Sequence, residues 1–259
     1  MDAPVARGGF RLENVTVRYA EVPALDDVSL DVAPGERVAL IGPSGAGKTT
    51  LLRLLNGGAV PAHGRVLVDA GDLATLRGDT LRRHRADVGF VHQDLRLVPN
   101  LRVSQNVLAG RLGRVGFAGA LRLLLRPDGA ARERVHALLE RVGVGEYMFQ
   151  RVDRLSGGQA QRVAIARALF QDPLLLLADE PVASVDPARA ENLLALLSEL
   201  GREHGLTVVV SLHNPDLARR HFDRLVGLRA GRVVFDAPGA AVDADRLDDL
   251  YRLERDHEL

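Results

Sequence analysis

The chain has 259 residues and balances 34 basic against 34 acidic side chains, so it lacks the whole-molecule attraction expected of a protein whose main partner is nucleic acid. Hydrophobic residues at 46% and charged residues at 26% are ordinary globular usage, which argues against a disordered or fibrous chain. No apolar run approaches the roughly 18 residues needed to span a bilayer, and the absence of cysteine excludes disulfides, zinc–thiolate sites, iron–sulfur clusters and thiol nucleophiles.

In chain order, Phe10 to Val17 and Leu25 to Val32 alternate apolar with polar residues, which predicts two half-buried antiparallel strands joined by a turn around Glu21 to Ala24. Arg37 to Ile41 is a short apolar strand running into the glycine-rich stretch Gly42 to Gly47, and Thr49 to Leu55 has a helical apolar face. From about Leu95 to Gln171 the chain is rich in Leu, Arg and Ala at helical spacing, as in Ala130 to Val142, which predicts an all-helical lobe. Leu174 to Ala178 and Thr207 to Leu212 are continuous apolar runs of the kind buried on both faces of a parallel sheet. Beyond Asp236 the chain is polar, with Asp245 to Glu254 expected as a surface helix.

Gly42-Pro43-Ser44-Gly45-Ala46-Gly47-Lys48-Thr49 fits a phosphate-binding loop, and the strand before it and helix after it are the context that the mechanism requires. Glycine lets the backbone N–H groups wrap closely round phosphate oxygens, and the Thr49 hydroxyl is placed to ligate Mg²⁺. Lys48 is the only lysine in the chain, every other one of the 34 basic residues being arginine. That choice fits a site that needs a slim ammonium at the β and γ phosphates of a nucleotide in place of a broad guanidinium.

Asp179 and Glu180 follow the apolar run at a strand end, where open α/β sheets bind ligands. The first carboxylate can hold Mg²⁺, and the second can orient and deprotonate a water in line with the γ-phosphate. An isolated acidic pair after a core strand is often just solvated; the phosphate loop in the same chain favours the chemical reading. Leu155-Ser156-Gly157-Gly158-Gln159 precedes a predicted helix over Ala160 to Phe170. Ser156 and Gln159 have capping-box spacing, and two glycines leave the helix N-terminus uncovered.

Leu155 to Gln159 resembles the ABC signature motif, and together with Gly42 to Thr49 and Asp179–Glu180 it makes nearly the whole chain similar to the ATP-binding subunits of ABC transporters. The resemblance implies an α/β fold: a P-loop NTPase (RecA-like) core at 10–94 and 173–235, with a small antiparallel β-subdomain, an inserted helical subdomain at 95–172 and a C-terminal extension at 236–259. It implies ATP held by Tyr19 and by Gly42 through Thr50, with Tyr19 stacked on adenine. It implies Mg²⁺ at Thr49, Asp179 and Gln93, and catalysis by Glu180 with His213 as a switch histidine. It also implies a homodimer in which Ser156, Gly157, Gly158 and Gln159 of one subunit meet the ATP held by the other, with Ser184 and Asp186 in a D-loop.

The gap from Lys48 to Ser156 is too short for the coiled-coil insertions of DNA-maintenance relatives, and one nucleotide domain per chain speaks against two-domain translation factors. Asn106 to Gly113, Ala178 to Ser184, Val210 to Asp236 and Leu247 to Arg252 look like the phosphonate importer branch. Asn214-Pro215, Val185 and His92 depart from its usual pattern, leaving phosphite or phosphate uptake, an amino-acid or methionine importer, and a lipoprotein-release or other export complex as alternatives. Expected partners are integral membrane permease subunits and, indirectly, a solute-binding protein. Met1 to Gly9 lacks the apolar stretch of a secretory signal, so a peripheral place on the cytoplasmic face of the inner membrane is expected.

Overall fold

The structure, a computed structural model, describes residues 5–183 and 186–255. The chain opens with a hairpin of β1 (Phe10–Tyr19) and β2 (Val22–Val32), paired from Phe10↔Val32 to Tyr19↔Val22. The turn is therefore the two residues Ala20 and Glu21, tighter than the expected Glu21 to Ala24. Ala20 adopts a positive φ of 52°, which lets the chain reverse in two residues, so Val22 and Pro23 already pair.

Next come β3 (Arg37–Ile41), α1 (Lys48–Leu55), β4 (His63–Val68) and β5 (Gly71–Asp72), then α2 (Gly78–Asp87) and β6 (Val88–Val91). The stretch that follows is helical as expected, with α3 (Val103–Leu108), α4 (Phe117–Leu125), α5 (Gly129–Arg141) and α6 (Gly157–Phe170). The chain then runs through β7 (Leu175–Asp179), α7 (Pro187–His204), β8 (Thr207–Leu212), α8 (Pro215–His221), β9 (Arg224–Arg229), β10 (Arg232–Pro238) and α9 (Ala244–Arg255). β10 thus continues past residue 235, where the sequence reading ended the core, because its pairing with β9 persists to Pro238↔Arg224.

Two sheets result. A small antiparallel one has the order β2-β1-β4-β5, and a six-stranded one has the order β10-β9-β3-β8-β7-β6, parallel except for β10. Every residue of β7 and β8 is buried, which is why both read as mainly apolar runs without alternation. Side chains alternate between two cores across the large sheet. Ala39, Ile41, Leu176, Ala178, Val208 and Val210 face the helical side. Val38, Leu40, Leu175, Leu177 and Val209 face α1 and the small sheet.

The helical lobe is joined to this core by polar fasteners. The Arg114 guanidinium donates to the carbonyls of Ala86, Gln171 and Asp172 and to Asp87 Oδ1. Gly110 lies so close to α6 that a Cβ there would sit 2.2 Å from the Arg167 carbonyl oxygen. Register then sets the site: the pairs Ile41↔Leu212, Asp179↔Ser211 and Val91↔Ala178 bring the carboxyl ends of β3, β8, β7 and β6 to one edge.

Candidate functional site

The loop Gly42 to Gly47 leaves β3 at that edge and enters α1. Gly42, Gly45 and Gly47 have φ of 148°, 76° and 104°, backbone that L side chains rarely adopt. A Cβ on Gly42 would lie 2.0 Å from the Leu228 carbonyl oxygen, and one on Gly47 2.5 Å from that of Ala24, so glycine is required twice over. Gly47 caps α1 without a side-chain bond and no acidic residue lies in the first turn, so the partial positive charge of the helix end is not neutralised locally. Lys48 is only 4% exposed, and its Nζ donates to the carbonyls of Gly42 at 2.7 Å and Pro43 at 2.9 Å. The loop is thus an anion cradle of backbone donors with one compact cation at its base.

Across the edge, Thr49 Oγ1 donates to Asp179 Oδ1 at 3.0 Å. Ser211, fully buried on β8, donates to the same Oδ1 at 2.8 Å and accepts from the Glu180 backbone N–H at 2.8 Å. Sequence reading missed this serine as a site residue; its signal was a hydroxyl inside an otherwise apolar buried run. Glu180 has a φ of 46°, costly for a non-glycine residue. Its Oε1 meets His213 Nε2 at 2.5 Å. Lys48, Thr49, Asp179, Ser211, Glu180 and His213 therefore form one neighbourhood.

Thr49 and Asp179 supply hard oxygen donors of the kind Mg²⁺ takes. Among the described residues no cluster of three or more His, Cys, Asp or Glu makes a self-sufficient metal cage, so a metal at this pair would complete its shell with phosphate oxygens and water. Gln93 lies exposed just beyond β6, at the same sheet edge but not hydrogen-bonded to Thr49 or Asp179. The chain after it is shaped by Leu95 and Arg96 at φ of 56° and 47°, whose carbonyls accept from Arg167 of α6 at 2.7 and 2.6 Å. His92 stacks on Phe90, and burial, with Arg96 next, pushes it down to about 4, so its ring is neutral near pH 7. Tyr19 ends β1 with its ring half exposed, an open face suited to stacking.

The Ser156 to Gln159 group lies apart. The expected capping box is present: Ser156 N–H donates to Gln159 Oε1 at 2.8 Å and Gln159 N–H to Ser156 Oγ at 3.3 Å. A Cβ on Gly157 or Gly158 would meet nothing within 4 Å, so packing does not demand these glycines, and they leave the end of α6 bare. Asp186 caps α7, accepting from Arg189 N–H at 3.1 Å, while Ser184 lies outside the described residues.

The sequence profile of the family described as "ABC transporter" matches residues 25–183. A phosphonates import ATP-binding protein of Anaeromyxobacter dehalogenans is 51% identical over 92% of this chain, which spans only 47% of that relative's length. Proteins of the same name from Alcaligenes faecalis and Pseudomonas putida are 47% and 45% identical over 89% and 96% of this chain, and over 83% and 92% of their own lengths. Among solved structures, a dimeric ATP-binding cassette in a post-hydrolysis state bound to ADP and Pi superposes with a TM-score of 0.76 at 34% identity, covering 88% of this chain and 98% of that one. A protein from Clostridium perfringens, part of an ABC transporter complex, gives 0.78 at 27% identity, covering 96% and 98%.

Proposed function

This chain belongs to the ABC transporter family, and we propose that it is the ATP-hydrolysing subunit of an importer of phosphonates or related phosphorus oxyanions. The observation that carries the ATPase reading is the single neighbourhood in which a phosphate loop with one buried lysine meets Asp179, Glu180 and His213. The importer reading, as against the export and amino-acid alternatives, is supported by the names of relatives that match across nearly the whole chain.

In this reading the Gly42 to Thr50 backbone and Lys48 bind the ATP phosphates, and Tyr19 stacks on the base. Thr49 and Asp179 would hold Mg²⁺, with Gln93 at the β6 edge as a further ligand, and the metal would supply charge neutralisation to the nucleotide phosphates. Glu180 orients a water and takes its proton as that water attacks the γ-phosphate. Acting as the base, Glu180 takes the acceptor role in its 2.5 Å bond with His213 Nε2, so the histidine aims it.

The bare end of α6 at Ser156 to Gln159 is a second phosphate-facing helix terminus, offered to the ATP of a second copy. ATP then draws two copies together because it binds the closed pair better than the open one. Asp186, at the start of α7, serves the same interface. Permease subunits supply the path across the membrane, since no described helix is long and apolar enough to cross one. The subunit works at the cytoplasmic face as a peripheral partner.

The test is growth of a strain lacking this protein on a phosphonate, phosphite or phosphate as sole phosphorus source, with the wild-type protein or Glu180→Gln restored. Rescue on a phosphonate by the wild type alone is expected. Growth that never depends on the protein, in a strain without a redundant route, would refute the cargo assignment.

A further inference from the structure

The C-terminal helix α9 plays no part in the chemistry above, yet it reaches the catalytic edge. Leu250 is 1% exposed within the main core, and Leu247 and Tyr251 pack against the same cluster. The Arg229 guanidinium, at the end of β9, donates to the Asp249 carbonyl oxygen and ties the helix to the large sheet. From that seat Tyr251 Oη donates to the His213 carbonyl oxygen at 3.2 Å.

That carbonyl belongs to the residue whose ring meets Glu180. On one side of His213, Leu212 is held in the sheet by its pairing with Ile41. On the other, Asn214 Oδ1 accepts from the N–H groups of Asp216 and Leu217 and caps α8. The peptide between His213 and Asn214 links these two anchored neighbours, and its carbonyl is the atom that Tyr251 holds. Rotation of that peptide would move the imidazole relative to the carboxylate it aims, and misplacement on the scale of an ångström is costly in catalysis.

We propose that Tyr251 is a positioning residue for the ATPase reaction, with α9 acting as a strap that fixes the His213 turn. The inference rests on the reading of His213 as the partner of Glu180. It extends the working site to a segment that the motifs of the family do not include.

The experiment is steady-state ATPase kinetics of Tyr251→Phe, His213→Ala and the double variant, with thermal unfolding of each. Tyr251→Phe keeps the packed ring and removes only the hydroxyl. It is expected to lower kcat about three- to tenfold, the worth of one neutral hydrogen bond, with KM for ATP within about twofold of wild type. In the His213→Ala background the same change is expected to have no further effect, because nothing remains to be aimed. An unchanged kcat in Tyr251→Phe, or an equal loss in both backgrounds, overturns the proposal; the second result would mark a purely structural tyrosine. If His213→Ala alone keeps wild-type turnover, the reading of His213 fails first, and the two failures are told apart by that single variant.

Discussion

Ser211→Ala is the sharpest test of how the catalytic edge is held. The serine hydroxyl is fully buried, donates to Asp179 Oδ1 at 2.8 Å and accepts the Glu180 N–H at 2.8 Å. Removing it takes from a 5% exposed carboxylate a charge-assisted bond worth about 1.5–3 kcal/mol and leaves a backbone N–H unpaired at about 1–3 kcal/mol. Asp179 keeps its bond from Thr49, so the combined cost falls at roughly 2–4 kcal/mol. For a chain of this size that is a fall in melting temperature of about 5–15 °C. Turnover is expected to fall further than stability alone explains, because the same bond holds Glu180 at its positive φ of 46°. Differential scanning calorimetry and ATPase rates measured well below the transition separate the two effects. Ser211→Cys, of similar shape but a weaker donor, should lie between. A Ser211→Ala protein that melts within about 2 °C of wild type and hydrolyses ATP normally would refute the reasoning.

Lys48→Arg tests whether the single lysine answers a steric demand: its Nζ sits between two loop carbonyls at 2.7 and 2.9 Å, too confined for a guanidinium, so nucleotide affinity is expected to drop by about tenfold or more while the protein stays folded. Titration with a fluorescent ATP analogue reads this directly. Ser156→Arg fills the bare end of α6, and ATPase that rises steeply with protein concentration in wild type should lose that dependence; unchanged behaviour would exclude a composite site. His92 protonates near 6.5 when unfolded but only near about 4 when folded, so the unfolded chain takes up more protons between those values. Stability should be full above pH 6.5 and decline as pH falls toward 4, with half-buried His84, also lowered chiefly by desolvation, adding to the same limb. His92→Gln is expected to make that limb shallower in melting curves, and an identical slope would remove His92 as a contributor.

What the sequence disclosed about this molecule depended on how far apart along the chain the cooperating residues lie. The phosphate loop and the Asp179–Glu180 pair were legible because each is contiguous and each flanking strand is an apolar run of its own. The capping box at Ser156 and Gln159 was legible for the same reason, its two bonds closing within three residues. Ser211 was not, because its meaning lies in Asp179, 32 residues away and reached only through the β7–β8 register. α2 gave no periodic signal since Ala86 is its one buried residue, and β10 alternates in an exposed edge position whose partner is fixed by tertiary pairing. The tail is the plainest case. Its polar composition read as a surface helix, and one side of α9 is indeed polar. Yet Leu250 is buried and the Tyr251 hydroxyl finds the His213 carbonyl, a contact that no pattern within 12 residues of helix could announce. Local motifs therefore identify which atoms can do the chemistry, whereas the groups that hold those atoms in line are set by strand order and by the packing of the last helix, and they become visible only when the chain is folded.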